Sequence, residues 1–510
     1  MKYTVIHYLE NAYIKFPDKI VCGDDIQEIT YKELWNRSDV MASALIKLFG
    51  DVHSPIPIMM KKSCKALVAM WSIIKTGGCY VMIDPMLPRE RIDNILKVLN
   101  VDTVIVDDDR FAERLKGLKI LWYEELYQPQ NDRECVKKRI KEICDIDPLY
   151  IMFTSGSTGI PKGVVVSHRS VVDFIDCFTE IFGITDEDVM ANQAPWDFDV
   201  SVKDIYSAIK VGGRIQIISS KYFSFPIQLM DLLEEKKVTT LIWAVSALCI
   251  VSSRDVFSYK CPSYVNKIIF SGEIMPVKQF NIWRNHYPNA LFANVYGPTE
   301  ITCNCTYAIL DREYKEDSLL PIGKAFPNER VYLVSEDNQL ITPRQVGEIG
   351  EICVSGTAIA LGYYNNRKDS AINFVQNPFI SQYETKIYKT GDLGYYDSVG
   401  NLFFASRKDF QIKHMGHRIE LTEIERAINA IEGVRMNCCI YYDNEIVDFL
   451  EGDIDVKFIR KELKNKLPAY MFPQQYVVMD KLPLNLHGKI DRKELAYVFG
   501  ETKNGRIQKI

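Results

Sequence analysis

Over the first 300 residues, short apolar runs alternate with stretches whose apolar positions recur every three or four residues. "VDTVIVDDD" (Val101–Asp109), "TTLIWAV" (Thr239–Val245), "VNKIIFSGE" (Val265–Glu273) and "ALFANVYGPTE" (Ala290–Glu300) read as buried strands ending in polar or glycine turns. "PRERIDNILKVLN" (Pro88–Asn100), with apolar spacing of three and four, reads as a helix between such strands. This alternation predicts an α/β fold: layers of parallel sheet covered by helices. Ligands in such folds sit at the carboxyl ends of the strands, so the polar turns are candidate site residues. From Val331 the texture changes. "VYLVSEDNQLITPRQVGEIGEICVSG" reads as hairpins, hence an antiparallel, barrel-like part. A small last piece, expected to be α+β, follows a junction placed at Asp409, giving domains 1–408 and 409–510.

Totals narrow the class. A chain of 510 residues predicts two or more domains, and 47% apolar residues predict an ordered globular protein. The net charge of −5, with both signs mixed, offers no footprint for a phosphate backbone, so no nucleic-acid partner is expected. The 13 cysteines form no C-x2-C pair and none of the 7 histidines completes a metal pattern; reduced, mostly buried thiols are the expectation. The opening "MKYTVIHYLENAYIKFPDK" is too polar for a signal peptide. The longest apolar run, Leu241–Val251, is too short to span a bilayer and reads as a strand entering a helix. A cytoplasmic protein without membrane insertion is expected.

The chemistry starts in "FTSGSTGIPKGVVVSHRS" (Phe153–Ser170). Gly156, Gly159 and Gly163 free the backbone, hydroxyls and successive N–H groups make an anion nest, and Lys162 adds a positive charge. "LYIMFT" before it is strand-like and "SVVDFIDCFTEIF" after it is helical, which predicts a strand–loop–helix site for a polyphosphate. It is not a Walker loop, since Pro161 precedes Lys162 and Gly163 follows. The alternative for such a stretch taken alone is a surface turn.

"TSGSTGIPKGV" closely resembles the phosphate loop of the adenylate-forming superfamily, which holds acyl- and aryl-CoA ligases, luciferases and the adenylation domains of nonribosomal peptide synthetases. "ITYKELWNRSDVMASAL", "IIKTGGCYVMIDPMLPRERI", "NVYGPTEITC", "GEICVSGTAIALGYYNN", "YKTGDLGYYDSVGNLFFASRKDFQIKHMGHRIELTEIE", "LPAYMFP" and "LPLNLHGKIDRKEL" resemble its other motifs, in order, over nearly the whole chain. Stand-alone D-alanine–carrier-protein ligases look closest, through "FDVSVKDIY", "FSGE" and "DFQIK".

The resemblance implies a reaction in two halves. A carboxylate attacks the α-phosphate of ATP, and a thiol then takes the acyl group from the adenylate. Catalysis of the first half is mainly positioning and electrostatic stabilisation. By the same resemblance Lys489 is the catalytic lysine, with His487 standing where the family usually has Asn, and Thr299 lies near the α-phosphate. Glu300 serves Mg²⁺ together with Thr158. ATP is held by Thr154, Ser155, Gly156, Ser157, Thr158, Gly159, Lys162, Gly272, Glu273, Asn294, Tyr296, Gly297, Asp392, Arg407 and Lys489. Asp409 is the hinge of a mobile C-terminal lid, and Gly416 lines the thiol's entry.

Asp199 occupies the place where amino-acid-activating relatives hold the substrate ammonium. Flanked by Phe198 and Val200, it predicts a bound cation, because a buried carboxylate without one is costly. Val200, Lys203, Ile242, Ile269, Ser271, Val295, Cys303 and Asn304 line the same pocket by the resemblance. D-alanine ligases have an apolar residue where Lys203 stands. A lysine facing the substrate favours an acidic side chain; alternatively it pairs with Asp199 or points to solvent. D-alanine and an acidic or polar amino acid both remain open. A phosphopantetheine arm on a separate carrier protein is the implied acceptor, since no carrier segment follows Lys489, and "RKELKNK" (Arg460–Lys466) is a candidate basic docking patch. The rivals are a CoA ligase for a small carboxylic acid and a non-catalytic nucleotide-binding regulatory protein.

Overall fold

The computed structural model describes residues 3–50, 54–115, 117–127, 132–156, 160–452, 455–484 and 490–503. They form two compact units. The first comprises Met1–Pro85, Leu99–Phe153 and Gly163–Lys408; the second comprises Met86–Val98, Thr154–Lys162 and Asp409–Ile510.

Two large sheets organise the first unit. The nine-stranded one runs, in spatial order, Lys324–Ala325, Thr306–Ile309, Leu291–Tyr296, Lys267–Ser271, Thr240–Ala244, Val189–Asn192, Arg214–Ile217, Ile20–Gly23 and Glu28–Thr30. Its six central strands are parallel and only the edges run antiparallel. Both faces are covered, which is why these strands read as continuous apolar runs. Thr240–Ala244 turns directly into the helix Val245–Ser252, as "LIWAVSALCIV" implied. The register sets Ile242 beside Ile269 and Ile269 beside Ala293, so three strands end level with one another. A seven-stranded sheet holds Pro148–Thr154 and Lys162–Ser167 side by side. A third sheet, built on Glu329–Val334, Gly350–Gly356, Lys386–Tyr396 and Leu402–Arg407, is antiparallel throughout, as the hairpin texture implied.

Helices start where side chains can cap them. Thr30 accepts from the Glu33 N–H while Glu33 reaches back to the Thr30 N–H at 2.8 Å, a reciprocal cap for Tyr31–Phe49. Ser63 caps Cys64–Lys75, a helix apolar on nearly every side and buried almost throughout. Lys75 at its end is fully buried; it donates to Asp39 at 2.6 Å and to the Trp35 carbonyl at 2.9 Å, and lies 3.5 Å from the Trp35 ring centroid. Val200–Val211 stops at Gly212, whose φ of +80° suits a residue without Cβ, and a Cβ there would strike Phe16 at 2.4 Å.

One expectation fails here. The glycine loop leads into a second strand, Lys162–Ser167, before the helix His168–Ile181 begins. Val164, Val165 and Val166 are β-branched and extend the sheet instead of opening the helix. Ser167 then caps the helix, accepting from the Ser170 N–H at 3.2 Å.

The second unit contains the hairpin Gln411–His414 and His417–Glu420, followed by the helix Leu421–Asn429. Its two-residue turn puts both Met415 (φ 51°) and Gly416 (φ 81°) in the left-handed region, the twist a tight hairpin requires. A three-stranded sheet of Val434–Tyr442, Glu445–Gly452 and Gln475–Met479 packs with the helices Val456–Lys466 and Arg492–Lys503. All thirteen cysteines are free. No described helix is long and apolar enough to cross a membrane.

Candidate active site

The parallel strands of the nine-stranded sheet deliver the candidate residues from their carboxyl ends. Ile242 and Ile269 pair in the middle of two neighbouring strands, and Ser271 ends the second of them, in register with Ala244. Asn294, Val295 and Tyr296 end the third, and all six of these side chains are buried. Asp199 sits at the start of the helix Val200–Val211 and is 6% exposed. Lys203, one helical turn on, is 0% exposed. Its ammonium donates to Ser271 Oγ at 2.9 Å and to Asn304 Oδ1 at 3.0 Å, and it also hydrogen-bonds with Cys303. Lys203 therefore neither faces solvent nor pairs with Asp199. No carboxylate of the described residues lies within ion-pair distance of it. Burial pushes the Cys303 thiol well up, against the pull of the Lys203 charge, so this thiol stays protonated.

The loop that joins Leu291–Tyr296 to Thr306–Ile309 is folded tightly. Thr302 (φ 44°) and Cys303 (φ 83°) both occupy the left-handed region without being glycine, a strain of about 1–3 kcal/mol each. Thr302 Oγ1 donates to the Ala358 carbonyl at 2.6 Å, and the Cys305 N–H donates to the Tyr296 carbonyl at 2.7 Å. A Cβ on Gly297 would meet Asn304 Cα at 2.5 Å, so only glycine allows this crossing. Thr299–Ile301 forms one short helical turn in the loop, and Thr299 and Glu300 are buried. Tyr363 donates its hydroxyl to Glu300 Oε1 at 2.7 Å.

A second cluster joins Tyr296, Asp392 and Arg407. Tyr296 donates its hydroxyl to Asp392 Oδ2 at 2.6 Å, and Arg407 pairs with Asp392 Oδ1 across two neighbouring strands. Burial, then the Asp392 charge, pushes the Tyr296 phenol far up, so it remains a donor. Gly272 takes a φ of +100° just after Ser271, and Glu273 Oε2 accepts the Ser246 N–H at 3.1 Å. Asn294 spends its amide on the Pro321 carbonyl at 2.8 Å. Of the residues singled out from the sequence, the first unit thus gathers Asp199, Val200, Lys203, Ile242, Ile269, Ser271, Val295, Cys303 and Asn304, and beside them the loop that carries Tyr296, Gly297, Thr299 and Glu300.

The remaining candidates belong to the second unit or lie outside the described residues. Thr154 ends its strand, Ser155 Oγ donates to the Arg418 carbonyl at 2.9 Å, and Lys162 opens the next strand. Gly156 has no room for a side chain, since a Cβ would sit 2.0 Å from the Ile160 carbonyl oxygen. Asp409 accepts the Gln411 N–H at 3.2 Å, and Gly416 is in the hairpin turn. Ser157, Thr158, Gly159 and Lys489 lie outside the described residues.

Two residues near these candidates, Lys62 and Asn192, have no motif to announce them. Tyr363 lies in the motif "GEICVSGTAIALGYYNN", and only its hydroxyl contact to Glu300 gives it a place here. Lys62 and Asn192 sit in unremarkable stretches, and only their long-range partners mark them.

Comparison with known proteins gives the family. Residues 9–364 match the family model described as AMP-binding enzyme, and the chain belongs to that family; it is an adenylation enzyme. It is 32% identical over 505 residues to Zwittermicin A synthase ZmaJ of Bacillus cereus, covering 96% of this chain and 93% of that protein. It is 30% identical over 503 residues to the D-alanine--D-alanyl carrier protein ligase of Bacillus licheniformis, covering 94% and 96%. Tyrocidine synthase 3 of Brevibacillus parabrevis is matched at 32% identity, but the chain spans only 8% of its length. Among solved structures, an artificially fused adenylation–PCP di-domain, NpsA-ThdA from Klebsiella oxytoca, superposes with a TM-score of 0.82 at 21% identity, over 99% of this chain and 98% of that one. That likeness establishes the fold. Family membership implies ATP as a substrate.

Proposed function

We propose that this enzyme activates an amino acid with an acidic side chain as its adenylate and passes it to the phosphopantetheine thiol of a separate carrier protein. One observation carries the substrate class: a fully buried Lys203 ammonium that, among the described residues, donates to the neutral acceptors Ser271 and Asn304, one helical turn from the buried Asp199. A buried ammonium held by neutral acceptors is stabilised when a ligand supplies a carboxylate. The substrate ammonium answers Asp199, and a side-chain carboxylate answers Lys203. Ser271 and Asn304 hold the Lys203 ammonium so that little rotamer freedom is lost on binding.

On this reading Tyr296, Asp392 and Arg407 take the nucleoside. Asp392 is an acceptor suited to ribose hydroxyls, and Arg407 and Tyr296 hold it in place. Glu300, a buried carboxylate steadied by Tyr363, has the oxygen chemistry a Mg²⁺ ion takes. Such an ion, when bound, neutralises charge on the phosphate oxygens. Lys489 bridges the substrate carboxylate and the α-phosphate, and the piece 409–510, hinged at Asp409, acts as the lid with Gly416 at the thiol's path. The D-alanyl carrier protein ligase among the relatives supports the carrier acceptor. In the helix Val456–Lys466, Arg460, Lys461 and Lys464 are exposed, as a docking face for an acidic carrier requires.

The test is amino-acid-dependent ATP–pyrophosphate exchange across the L- and D-amino acids, with simple carboxylic acids as controls. Glutamate, aspartate or a close relative is expected to give the strongest exchange. A signal confined to D-alanine or another small amino acid would make Lys203 a space filler. Exchange only with acids that lack an amino group would overturn the Asp199 assignment in favour of a CoA ligase.

A further inference from the structure

Asp199 owes its position to a loop, residues 193–199, between the strand Val189–Asn192 and the helix Val200–Val211. A loop holding a catalytic or binding carboxylate needs its backbone groups satisfied, or it moves. The mouth of this loop is held by a lysine from a remote part of the chain. Lys62 Nζ donates to the carbonyls of Gln193 at 2.7 Å, Asn192 at 3.0 Å and Ala194 at 3.3 Å, and lies 3.4 Å from Asn192 Oδ1. Three successive carbonyls thus converge on one ammonium. Lys62 itself is anchored, because it directly precedes Ser63, the cap of the buried helix Cys64–Lys75.

The far side of the loop is tied to the same point. Asn192 Oδ1 accepts the Trp196 indole N–H at 2.9 Å, and Asn192 Nδ2 donates to Asp204 Oδ2 at 2.8 Å. Asp204 is on the helix that Asp199 opens, one residue after Lys203, and is fully buried. Its other oxygen, Oδ1, has no hydrogen-bond partner among the described residues. Burial pushes the Asp204 carboxyl up to about 7, opposed by the Asn192 bond and by the charges of Lys203 and Lys62. The turn itself is closed by Ser201 Oγ, which donates to the Phe198 carbonyl at 2.7 Å. The chain from Asn192 to Asp204 is therefore tethered at its start by Lys62 and at its end through Asn192.

We propose that Lys62 is a positioning residue for amino-acid binding: by holding the carbonyls of residues 192–194 it fixes the loop that presents Asp199 to the substrate ammonium. On this proposal it acts through the loop and not on substrate or nucleotide directly. Its effect falls on amino-acid affinity and spares ATP. The inference rests on Asp199 being the ammonium-binding carboxylate.

Two measurements on Lys62→Met test it, with Lys61→Met, at an exposed neighbour, as control. Burial pushes the Lys62 ammonium down to about 7, against the pull of the Asp204 charge, but either form of its Nζ donates hydrogen bonds. In pyrophosphate exchange, KM for the amino acid is expected to rise about 10- to 100-fold, the effect of losing two or three hydrogen bonds, while KM for ATP and kcat change less than about threefold. In an Asp199→Ala background the same substitution is expected to add less than about twofold, because the residue through which it acts is gone. Lys62→Arg, whose guanidinium still donates to carbonyls, is expected to restore most of the affinity. In amide hydrogen exchange, residues 193–201 are expected to lose protection about tenfold or more with the rest of the first unit unchanged. If Lys62→Met does not fold, Lys62→Gln takes its place under the same criteria. Unchanged KM together with unchanged exchange in 193–201 would overturn the proposal. So would a parallel loss of ATP affinity and amino-acid affinity, or full additivity with Asp199→Ala. If the wild-type enzyme shows no amino-acid-dependent turnover, the substrate assignment falls, and the amide-exchange comparison still decides the tether.

Discussion

Replacing Lys203 by Met is the most direct probe of the pocket. Met matches the length and most of the volume of the lysine stem, so no large cavity opens and the change is one of charge and donors. Lys203 is fully buried, so neither salt nor water screens its interaction with a bound carboxylate. A hydrogen bond to a charged partner contributes about 1.5–3 kcal/mol, and each 1.36 kcal/mol is tenfold. The kcat/KM for an acidic amino acid is thus expected to fall about 10- to 150-fold. The bonds to Ser271 and Asn304 are lost whatever the substrate, so their loss moves all substrates together. The readout is therefore a ratio: kcat/KM for glutamate or aspartate over that for alanine or serine, by pyrophosphate exchange. That ratio should fall by at least about tenfold. A ratio unchanged within about twofold would refute the reasoning and leave Lys203 as packing.

Gly297→Ala forces a Cβ to within 2.5 Å of Asn304 Cα and 2.8 Å of the Cys303 carbonyl, backbone that cannot step aside, so exchange activity should fall by about 100-fold or more while the melting temperature drops only modestly. Asp39→Ala strips the buried Lys75 of its carboxylate; removing one partner of a buried pair costs about 3–5 kcal/mol, to be read as a shift in denaturant midpoint with the slope unchanged. Burial pushes the Glu329 carboxyl up to about 8, against the Ala358 N–H that it accepts at 2.9 Å. The folded state thus keeps a proton that the unfolded chain releases near the ordinary glutamate value, and stability is lost as pH rises toward 8. Glu329→Gln does not titrate, so its melting temperature relative to wild type should climb between pH 5 and pH 8; a constant difference would contradict the assignment.

The buried strands Thr240–Ala244, Lys267–Ser271 and Leu291–Tyr296 were legible because an apolar run bounded by polar turns is a local signal, readable over five or six residues. The turns that close two of them, Ser271–Glu273 and Tyr296–Glu300, were legible as site candidates because ligands gather at such strand ends, whereas Cys303 and Asn304 came from the family resemblance. The glycine loop misled at one point, because Val164–Val166 suit either a strand or the approach to a helix, and the neighbouring strand Pro148–Thr154 decided between them. The direction of Lys203 was not legible. A lysine on a helix reads as charge on an outer face, and only the order of the strands, which sets Ser271 against the helix, turns it inward. Lys62 and Asn192 are 130 residues apart, Tyr363 and Glu300 are 63 apart, and Tyr296 and Asp392 are 96 apart. Periodicities of two and 3.6 residues carry the identity of each element and the face it buries. They hold nothing about which strand lies next to which, and it is that adjacency that brings Lys62 to the loop of Asp199 and the buried Lys203 to Ser271.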